Sequence, residues 1–379
     1  MKKLGFGMMR LPVFDENDRS TVDTEHVIRM VDLFMQNGFN YFDTAHRYND
    51  EASEPAIKAA LTSRYKREDY VLTDKVTLNY IKKESDLMPF FENQLKICGV
   101  DYFDNYLVHN MGRVSYEKAK ALKIFEFIAD LKAKGLVRHT GFSFHDTADT
   151  LDKILSEHPE VDIVQLQINY LDWNDSGIQA KLCYETAVKH KKDVKVMEPI
   201  KGGNLINLPK DAAKMLKSEL HISPAEAALR FAASLEGVST VLSGMSTEEQ
   251  MKDNASFMKE FVPLTEAEKE KLEQVAELIR SKNKIPCTGC RYCVTECPNH
   301  IAIPEYFSLL NNRDSVENVG YFVNQSNYYG NLAKDHGKAS SCVECGTCEK
   351  NCPQHIKIRE ELKKVAEIFE NIKPLPAGK

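Results

Sequence analysis

The chain has 379 residues, a length that suits one large domain followed by one small domain better than a single ordinary one. Its 42% apolar and 28% charged residues are typical of globular proteins that bury a full core. The net charge of -6, without a basic block, argues against a nucleic-acid partner, and no apolar run approaches the roughly 18 residues of a membrane span. The start at Met1 has lysines but no apolar stretch behind them, so we expect a cytoplasmic protein.

Short β-like runs alternate with helical windows through the first two thirds of the chain. Strands are predicted at residues 4–8, 40–43, 70–75, 104–109, 137–142, 162–168, 194–198 and 239–243. The windows 26–36 and 118–134 have helical periodicity, and each is followed by a glycine. Ser223-Pro224-Ala225-Glu226 and Ser246-Thr247-Glu248-Glu249 have the pattern of a capping box at a helix start.

This alternation predicts the fold class. Eight strand–helix units in about 260 residues have the rhythm of a (β/α)8 barrel. A doubly wound open sheet shows the same alternation, but it usually has fewer strands, and no Gly-x-Gly-x-x-Gly follows a strand here. We therefore predict an α/β protein with a (β/α)8 TIM barrel in residues 1–280, ended by a helix over 265–280. A second, largely helical domain is expected in residues 281–379, with helices over 305–311, 315–318 and 359–371 and an aromatic stretch, 321–330, that can pack on the barrel.

Two copies of one cysteine pattern predict the cofactors of the second domain. The first copy reads C-x2-C-x2-C-x3-C-P and the second repeats its spacing. In bacterial ferredoxins the first three thiolates of such a run bind one 4Fe-4S cluster, and the fourth cysteine ligates the other cluster. One predicted cluster is therefore bound by Cys287, Cys290, Cys293 and Cys352. The other is bound by Cys342, Cys345, Cys348 and Cys297.

Structural zinc and disulfides are the alternatives for these cysteines. Zinc prefers two separated knuckles that give four ligands per site, often with histidine. Disulfides need an oxidising compartment, and no signal peptide directs the chain to one. The identical spacing, the proline after each run and the Ile-x-Ile at 301–303 and 356–358 favour clusters.

Four polar residues lie where predicted barrel strands end. Asp43 closes the second strand, Tyr48 follows five residues later, and Lys75 and His109 end the next two strands. In such barrels this end of the strands holds the reactive groups. A tyrosine is a poor proton donor at neutral pH, with a reference pKa near about 10, but an ammonium beside it lowers that pKa and a carboxylate keeps the ammonium charged. A neighbouring histidine can donate a hydrogen bond to a carbonyl oxygen as negative charge develops there.

This set resembles the catalytic tetrad of the aldo-keto reductase family, and the resemblance covers the whole barrel, including the opening residues 4–12. It implies that Tyr48 is the general acid, tuned by Lys75 and Asp43, and that His109 orients the substrate carbonyl. The implied enzyme is an oxidoreductase that reduces a small-molecule aldehyde or ketone, or oxidises the alcohol, with NADPH or NADH.

The resemblance also implies cofactor contacts. Ser143 and Gln165 would hold the nicotinamide carboxamide, although Phe144 stands at the usual asparagine and Met197 at the usual stacking tyrosine. The remaining contacts would be made by Gly203, Ser243, Gly244, Ser246, Glu249, Gln250 and Asn254. Gln250 replaces an arginine that often reads the 2′-phosphate, so the choice between NADPH and NADH stays open. A plain capping box is the other interpretation of Ser246 and Glu249.

Three arrangements of the two halves stay open, because a hydride carries two electrons whereas each cluster passes one. In the first, the barrel reduces carbonyls with a nicotinamide, and the clusters only stabilise the second domain. In the second, a ferredoxin or another electron carrier feeds the clusters, which reduce a flavin or a bound substrate. In the third, the nicotinamide site is vestigial and the protein is an electron-transfer or binding subunit.

Other residues receive plainer interpretations. We expect Glu54 to begin a solvated helix and His46 to lie at the surface. Cys98 and Cys183 are expected to be small buried hydrophobic residues. Lys201 can meet a phosphate or a substrate carboxylate.

Overall fold

The structure is a computed structural model that describes residues 2–314 and 319–371. Its strands are β1 (Leu4–Gly7), β2 (Val13–Asp15), β3 (Asp18–Val22), β4 (Tyr41–Asp43), β5 (Val71–Val76), β6 (Phe103–Met111), β7 (Val137–Phe144), β8 (Ile163–Gln167), β9 (Asp193–Met197) and β10 (Val238–Ser243). Eight of them close into a parallel barrel in the order β1-β10-β9-β8-β7-β6-β5-β4. The predicted (β/α)8 fold is confirmed, and each predicted strand agrees with an observed one to within two residues.

A two-stranded antiparallel hairpin, β2 with β3, stands outside the barrel between β1 and the first helix. It was not predicted. Its side chains are mostly exposed or half-buried, so they show no apolar alternation that would reveal a strand.

The barrel helices follow the strands. They are α1 (Thr24–Gln36), α2 (Ser53–Ile57), α3 (Leu87–Cys98), α4 (Arg113–Ala121), α5 (Ile124–Ala133), α6 (Ala148–Glu157), α7 (Ala180–Lys189), α8 (Lys210–Met215), α9 (Pro224–Ala233), α10 (Glu248–Met258) and α11 (Glu266–Arg280). Single π-helical turns, Lys58–Thr62 and Leu216–Leu220, continue α2 and α8. Short 3-10 turns occur at Arg67–Asp69, Leu78–Tyr80, Glu84–Asp86, Lys201–Gly203 and Ala339–Ser341.

Local sequence explains where these helices begin and break. The Ser223 hydroxyl accepts the N–H of Glu226 at the start of α9, as predicted. The window 118–134 is two helices rather than one, because Lys123 has a left-handed φ of 51° that ends the helical path. The start of α10 was predicted one residue early: the capping hydroxyl belongs to Thr247, which accepts the N–H of Gln250.

The main core lies between the strands and the surrounding helices. Phe6 of β1, Phe34 of α1 and Phe42 of β4 are fully buried. The ring centroids of Phe34 and Phe42 are 5.3 Å apart in an edge-on arrangement, and those of Phe6 and Phe34 are 5.8 Å apart. Such packing joins the first helix to two neighbouring strands and stabilises the strand ends that carry the site.

The second domain is helical. It contains α12 (Tyr292–Thr295), α13 (Ile303–Asp314), α14 (Val319–Asp335), α15 (Thr347–Lys350) and α16 (Ile358–Glu370). The predicted helices 305–311 and 359–371 correspond to α13 and α16, whereas the prediction for 315–318 lies outside the described residues.

The repeat of the cysteines extends to the backbone. Left-handed residues recur at equal distances from the first cysteine of each copy: Gly289 with Glu344, Arg291 with Gly346, and His300 with His355. The short helices α12 and α15 also begin at the same offset, and so do α13 and α16. The two halves of the domain therefore share one fold in duplicate.

The second domain packs against the barrel. Trp173 contacts the apolar cores of both domains. In α14, the amide of Asn331 donates to the carbonyl oxygen of His145 at 2.7 Å, and that of Asn327 donates to the side chain of Asn110 at 3.2 Å. Within the stretch 321–330, the contact of Asn327 with the barrel agrees with the expected packing.

Across the part of the chain that the structure describes, no helix combines the length and the apolar character that crossing a membrane demands.

Candidate active site

An ion pair at the carboxyl ends of β4 and β5 is the centre of the candidate site. The ammonium of Lys75 donates to Asp43 Oδ1 at 2.6 Å and to the carbonyl oxygen of Thr44 at 2.7 Å. Gln165 of β8 donates to the other carboxylate oxygen of Asp43 at 3.3 Å. Both charged residues are buried, so this network is held in one geometry.

The pair keeps Lys75 charged. Burial acts to lower the pKa of Lys75, but the attraction of Asp43 and Tyr48 outweighs it, and the pKa lies above its ordinary value. The ammonium is therefore present throughout the neutral pH range.

Tyr48 stands beside this ammonium. Nζ of Lys75 lies 4.9 Å from the centroid of the Tyr48 ring. Burial raises the pKa of Tyr48 above its ordinary value, the positive charge of Lys75 opposes that rise, and the carboxylates of Asp43 and Glu198 add to it. Tyr48 is thus a protonated phenol at neutral pH, next to a cation that favours its deprotonated form.

His109 of β6 also packs against the ring of Tyr48. The two ring centroids are 5.7 Å apart at an interplanar angle of 83°. Nδ1 of His109 lies 3.1 Å from the Thr77 hydroxyl. Burial, together with the positive charges of Lys75 and Arg47, holds the pKa of His109 well below its ordinary value, so the imidazole is neutral.

Buried polar contacts position the loop that carries Tyr48. The hydroxyls of Thr44 and Ser53 are 2.8 Å apart. The carboxylate of Glu54 lies 2.8 Å from Nδ1 of His46 and accepts from Gln94 of α3 at 2.9 Å. The expectations of a solvated Glu54 and a surface His46 are therefore wrong, because both side chains are buried in this network.

A cleft of about 550 Å³ opens beside the ion pair. Asp43 and Tyr48 line it. It is also lined by seven of the predicted cofactor contacts: Gln165, Gly203, Ser243, Gly244, Ser246, Gln250 and Asn254. Its size is in the range of pockets that enclose small molecules and cofactors.

Two predicted contacts lie away from the lining of the cleft. Ser143 is buried, and its hydroxyl accepts the N–H of Asn110 at 2.8 Å. Glu249 is exposed on α10. Lys75 and His109 are also absent from the lining of the cleft, but they contact two residues that line it, Asp43 and Tyr48.

Several charged residues of the cleft were not predicted from the sequence, among them Arg10 and Glu198. Arg10 follows β1 and Glu198 follows β9, so both stand at carboxyl ends of barrel strands, and this position could have revealed them. Glu198 has a left-handed φ of 55°. Burial raises its pKa, and the positive charge of Arg10 opposes that rise.

Lys201 contacts other residues of the protein and is absent from the lining of the cleft. It is fully buried, pairs with Asp172 and donates to Oδ1 of Asn312 in α13 at 2.8 Å. It joins the barrel to the second domain, so the expectation of a phosphate or substrate carboxylate as its partner is wrong.

The eight motif cysteines gather into two groups. Four thiols line one cavity: those of Cys297, Cys342, Cys345 and Cys348. Four line the other: those of Cys287, Cys290, Cys293 and Cys352. In each group one cysteine comes from the opposite copy of the motif, and four thiols are the donor set that a 4Fe-4S cluster takes. Cys98 and Cys183 are buried elsewhere, as expected.

Two family models match the chain. The Aldo/keto reductase family matches residues 3–277, and a 4Fe-4S dicluster domain matches residues 286–356. Among curated proteins, aldo-keto reductase family 1 member C4 from Macaca fuscata fuscata is 27% identical and member C3 from Homo sapiens is 28% identical, each over 160 residues. These matches cover 38% of this chain and 47% of each relative, so the chain spans about half the length of the curated relatives.

Solved structures resemble the barrel. Aldo-keto reductase AKR11C1 from Bacillus halodurans in its holo form has a TM-score of 0.59 and 25% identity, and covers 72% of this chain and 91% of its own. An aldo-keto reductase from Klebsiella pneumoniae in complex with NADPH has a TM-score of 0.59 and 20% identity, with 72% and 90% coverage, and supports the fold alone. Because the family match includes more than half of the residues, the chain belongs to the aldo/keto reductase family and carries a 4Fe-4S dicluster domain after its barrel.

Proposed function

We propose that the protein is an oxidoreductase that reduces a small-molecule aldehyde or ketone, or oxidises the corresponding alcohol, with NADPH or NADH. The observation that carries the proposal is the contact of Tyr48 with the buried Lys75–Asp43 ion pair beside a cleft of cofactor size. His109 completes the set by packing against the same ring.

The protonated phenol of Tyr48 is the proton donor for the carbonyl oxygen. A bound nicotinamide would supply the hydride to the carbonyl carbon. As Tyr48 loses its proton, the ammonium of Lys75 stabilises the phenolate, and the Asp43 carboxylate keeps that ammonium in place. One hydride and one proton are consumed for each alcohol formed, and the reverse reaction returns the proton to Tyr48.

His109 positions the carbonyl oxygen. Its imidazole is neutral, and a neutral imidazole carries one N–H. We assign Nδ1 as the acceptor from the Thr77 hydroxyl, which leaves the Nε2–H to donate to the substrate oxygen as it becomes negative.

The residues present fit a dinucleotide. We propose that Gln165 binds the carboxamide, since it lines the cleft and its amide is already oriented by Asp43, and that Ser143, its neighbour across β7 and β8, contributes from behind the lining. At the other end, Asn254 donates to the Ser243 hydroxyl at 3.0 Å, which orders the wall that the adenosine half would contact. Gln250, which lines the cleft, would lie near the adenosine ribose, whereas Glu249, exposed on α10, would contact the cofactor from outside the lining.

We propose that two 4Fe-4S clusters hold the second domain together, one on each group of four cysteines. The domain then contributes to the substrate side of the barrel: Asn327 of α14 binds Asn110, the residue next to His109. Such clusters would pass single electrons when bound to a redox partner, but the proposed reduction does not need them.

A second candidate function is favoured by the exposure of Cys290 and Cys345. Exposed ligands bring a cluster edge close to the surface, where a ferredoxin or another carrier can approach. The protein would then be a ferredoxin-linked electron-transfer enzyme in which the clusters reduce a flavin or a bound substrate. In that case the hydrogen gained by the product carbon would come from solvent.

Replacing Tyr48 with phenylalanine tests the first proposal. Tyr48→Phe removes the proton donor but little volume, so carbonyl turnover with NADPH or NADH should fall by about 100- to 10,000-fold, measured anaerobically across a panel of aldehydes and ketones. The control is Tyr65→Phe, because the Tyr65 hydroxyl binds Asp32 on the barrel surface. Cluster absorption should be equal in all three proteins. Turnover by Tyr48→Phe at the wild-type rate would exclude the tetrad mechanism.

A further inference from the structure

Two carboxyl groups are buried against each other next to Lys75. Asp74 of β5 and Glu54 of α2, here called the carboxyl pair, are both fully buried. One oxygen of each and Sγ of Cys98 lie within 4.8 Å of one another, and the two carboxyls are hydrogen-bonded. An ionised carboxylate has no donor, so a hydrogen bond between two carboxyls requires that the pair keeps a proton.

The donors around Glu54 stabilise it as the anion of the pair. Its Oε1 accepts from the Gln94 amide at 2.9 Å, and its Oε2 lies 2.8 Å from Nδ1 of His46. The hydroxyl of Tyr106 donates to Oε1 of Gln94 at 2.6 Å, which directs the amide nitrogen toward Glu54. Hydrogen bonds to a carboxylate favour its ionised form, so Glu54 carries the negative charge.

Asp74 receives weaker support as an anion. Its Oδ1 accepts the N–H of Lys75 at 2.8 Å, and its Oδ2 lies 3.7 Å from the Cys98 thiol. Burial raises the pKa of Asp74 well above its ordinary value, and the charge of Glu54 adds to that rise, while the N–H and the charge of Lys75 oppose it. The proton of the pair therefore resides on Asp74.

The titratable groups around the carboxyl pair lie on the loop before α2, the turn after it, β5, α3 and β6: they are His46, Lys58, Lys75, Cys98 and Tyr106. Burial raises the pKa of Cys98 and that of Tyr106 well above their ordinary values, so the thiol and the phenol stay neutral. Burial acts to lower the pKa of His46, but the hydrogen bond and the charge of Glu54 outweigh it and raise that pKa. The surroundings thus favour a single negative charge on the pair.

The same cluster holds the backbone of Lys75. Asp74 accepts its N–H, and Gln94, which binds Glu54, donates to its carbonyl oxygen at 3.2 Å. The Lys75 ammonium then pairs with Asp43 beside Tyr48.

We propose that Asp74 is a protonated carboxylic acid at neutral pH, that it shares its proton with Glu54, and that it is a positioning residue for Lys75. A neutral Asp74 accepts the Lys75 N–H without offering the ammonium a second carboxylate, so the ammonium stays directed at Asp43 and Tyr48. The catalytic consequence rests on the proposed carbonyl reduction, whereas the shared proton does not.

Infrared difference spectroscopy of the anaerobic full-length protein tests the proton without turnover. The spectrum of the wild type minus that of Asp74→Asn should contain the carbonyl stretch of a protonated carboxylic acid, both at pH 5 and at pH 7, because the ordinary aspartate pKa is about 3.9. Asp74→Thr, whose β-branched side chain suits a strand, should give the same band and serves if Asp74→Asn does not fold.

The matched control is Asp32→Asn. The hydrogen bond from Arg64 holds the pKa of Asp32 below its ordinary value, so this difference spectrum should contain a carboxylate band and no acid band. A carboxylate band in place of the acid band for the Asp74 variants would overturn the inference.

Steady-state kinetics test the positioning of Lys75. Asp74→Ala removes the acceptor of the Lys75 N–H and the donor to Glu54, so kcat for carbonyl reduction should fall by about 10- to 100-fold. Asp74→Asn keeps a neutral acceptor and a donor and should recover most of that loss. Equal losses in the two variants would overturn the positioning by a neutral Asp74. An acid band in a wild type that reduces no carbonyl would support the shared proton and remove the proposed function.

Discussion

Tyr48 shows how burial and charge compete at a single residue. The sequence placed a lysine beside it and so predicted a lowered phenol pKa. In the structure, burial and two carboxylates raise the pKa by more than Lys75 lowers it. The consequence favours reduction, because the proton donor is fully protonated at neutral pH, while the ammonium that stabilises its conjugate base remains in contact.

The pH dependence of the reaction follows from this balance. An acid must be protonated to act, so the rate of carbonyl reduction should be level through the neutral range and fall only above the ordinary tyrosine pKa of about 10. A profile of kcat/KM against pH at constant ionic strength checks this. Under the present account, a reduction rate that already declines across neutral pH has no explanation.

At the scale of elements, the loop from β4 to α2 sets the geometry of the site. Asn49, Asp50 and Glu51, directly after Tyr48, all have left-handed backbone conformations, with φ of 50°, 49° and 73°. Three such residues without glycine are costly, and they persist because the surrounding contacts hold them. The sequence could not show this. From the sequence alone, Glu54 is expected to be a solvated carboxylate, because its partner Gln94 lies 40 residues away and comes next to it only in the folded chain.

Helix α14 is the element that links the second domain to the reaction. Asn327 binds Asn110, the neighbour of His109. Because Asn327→Ala removes this hydrogen bond, it should raise the KM for the carbonyl substrate by about 2- to 10-fold. Dinucleotide affinity should stay unchanged. Steady-state kinetics and calorimetry measure the two effects. Asn371→Ala, at the exposed end of α16, is the control. Equal KM values in the two variants would show that α14 does not shape the substrate side.

At the scale of the whole molecule, periodic features were predictable and tertiary pairings were not. The eight barrel strands follow from buried apolar runs, and the duplicated domain follows from a repeated spacing. The hairpin of β2 and β3 lacks such a pattern. The surroundings of Arg10, Glu54 and Lys201 are formed by residues that are distant in the chain. Their sequence context therefore suggested a surface position for Glu54, a ligand for Lys201 and no role for Arg10. The division at residues 280 and 281 stays a prediction.

The crossed ligand sets give a prediction for pairs of cysteines. Cys297→Ala with Cys342→Ala removes two ligands of one predicted cluster, so about half of the iron should remain. Cys297→Ala with Cys287→Ala removes one ligand from each and should destabilise both clusters. Iron analysis and electron paramagnetic resonance after anaerobic purification measure the difference. The reverse pattern would mean that each motif binds its own cluster.

The source of the hydrogen gained by the product carbon tests the central claim most directly. The anaerobic protein is given a carbonyl substrate and NADPH or NADH that carries deuterium at the transferable position of the nicotinamide, in ordinary water. Direct transfer beside Tyr48 predicts that the alcohol carbon carries deuterium, seen by mass spectrometry and NMR. An alcohol whose new hydrogen comes from the solvent, with clusters reduced during turnover, would contradict the account and favour the electron-relay function.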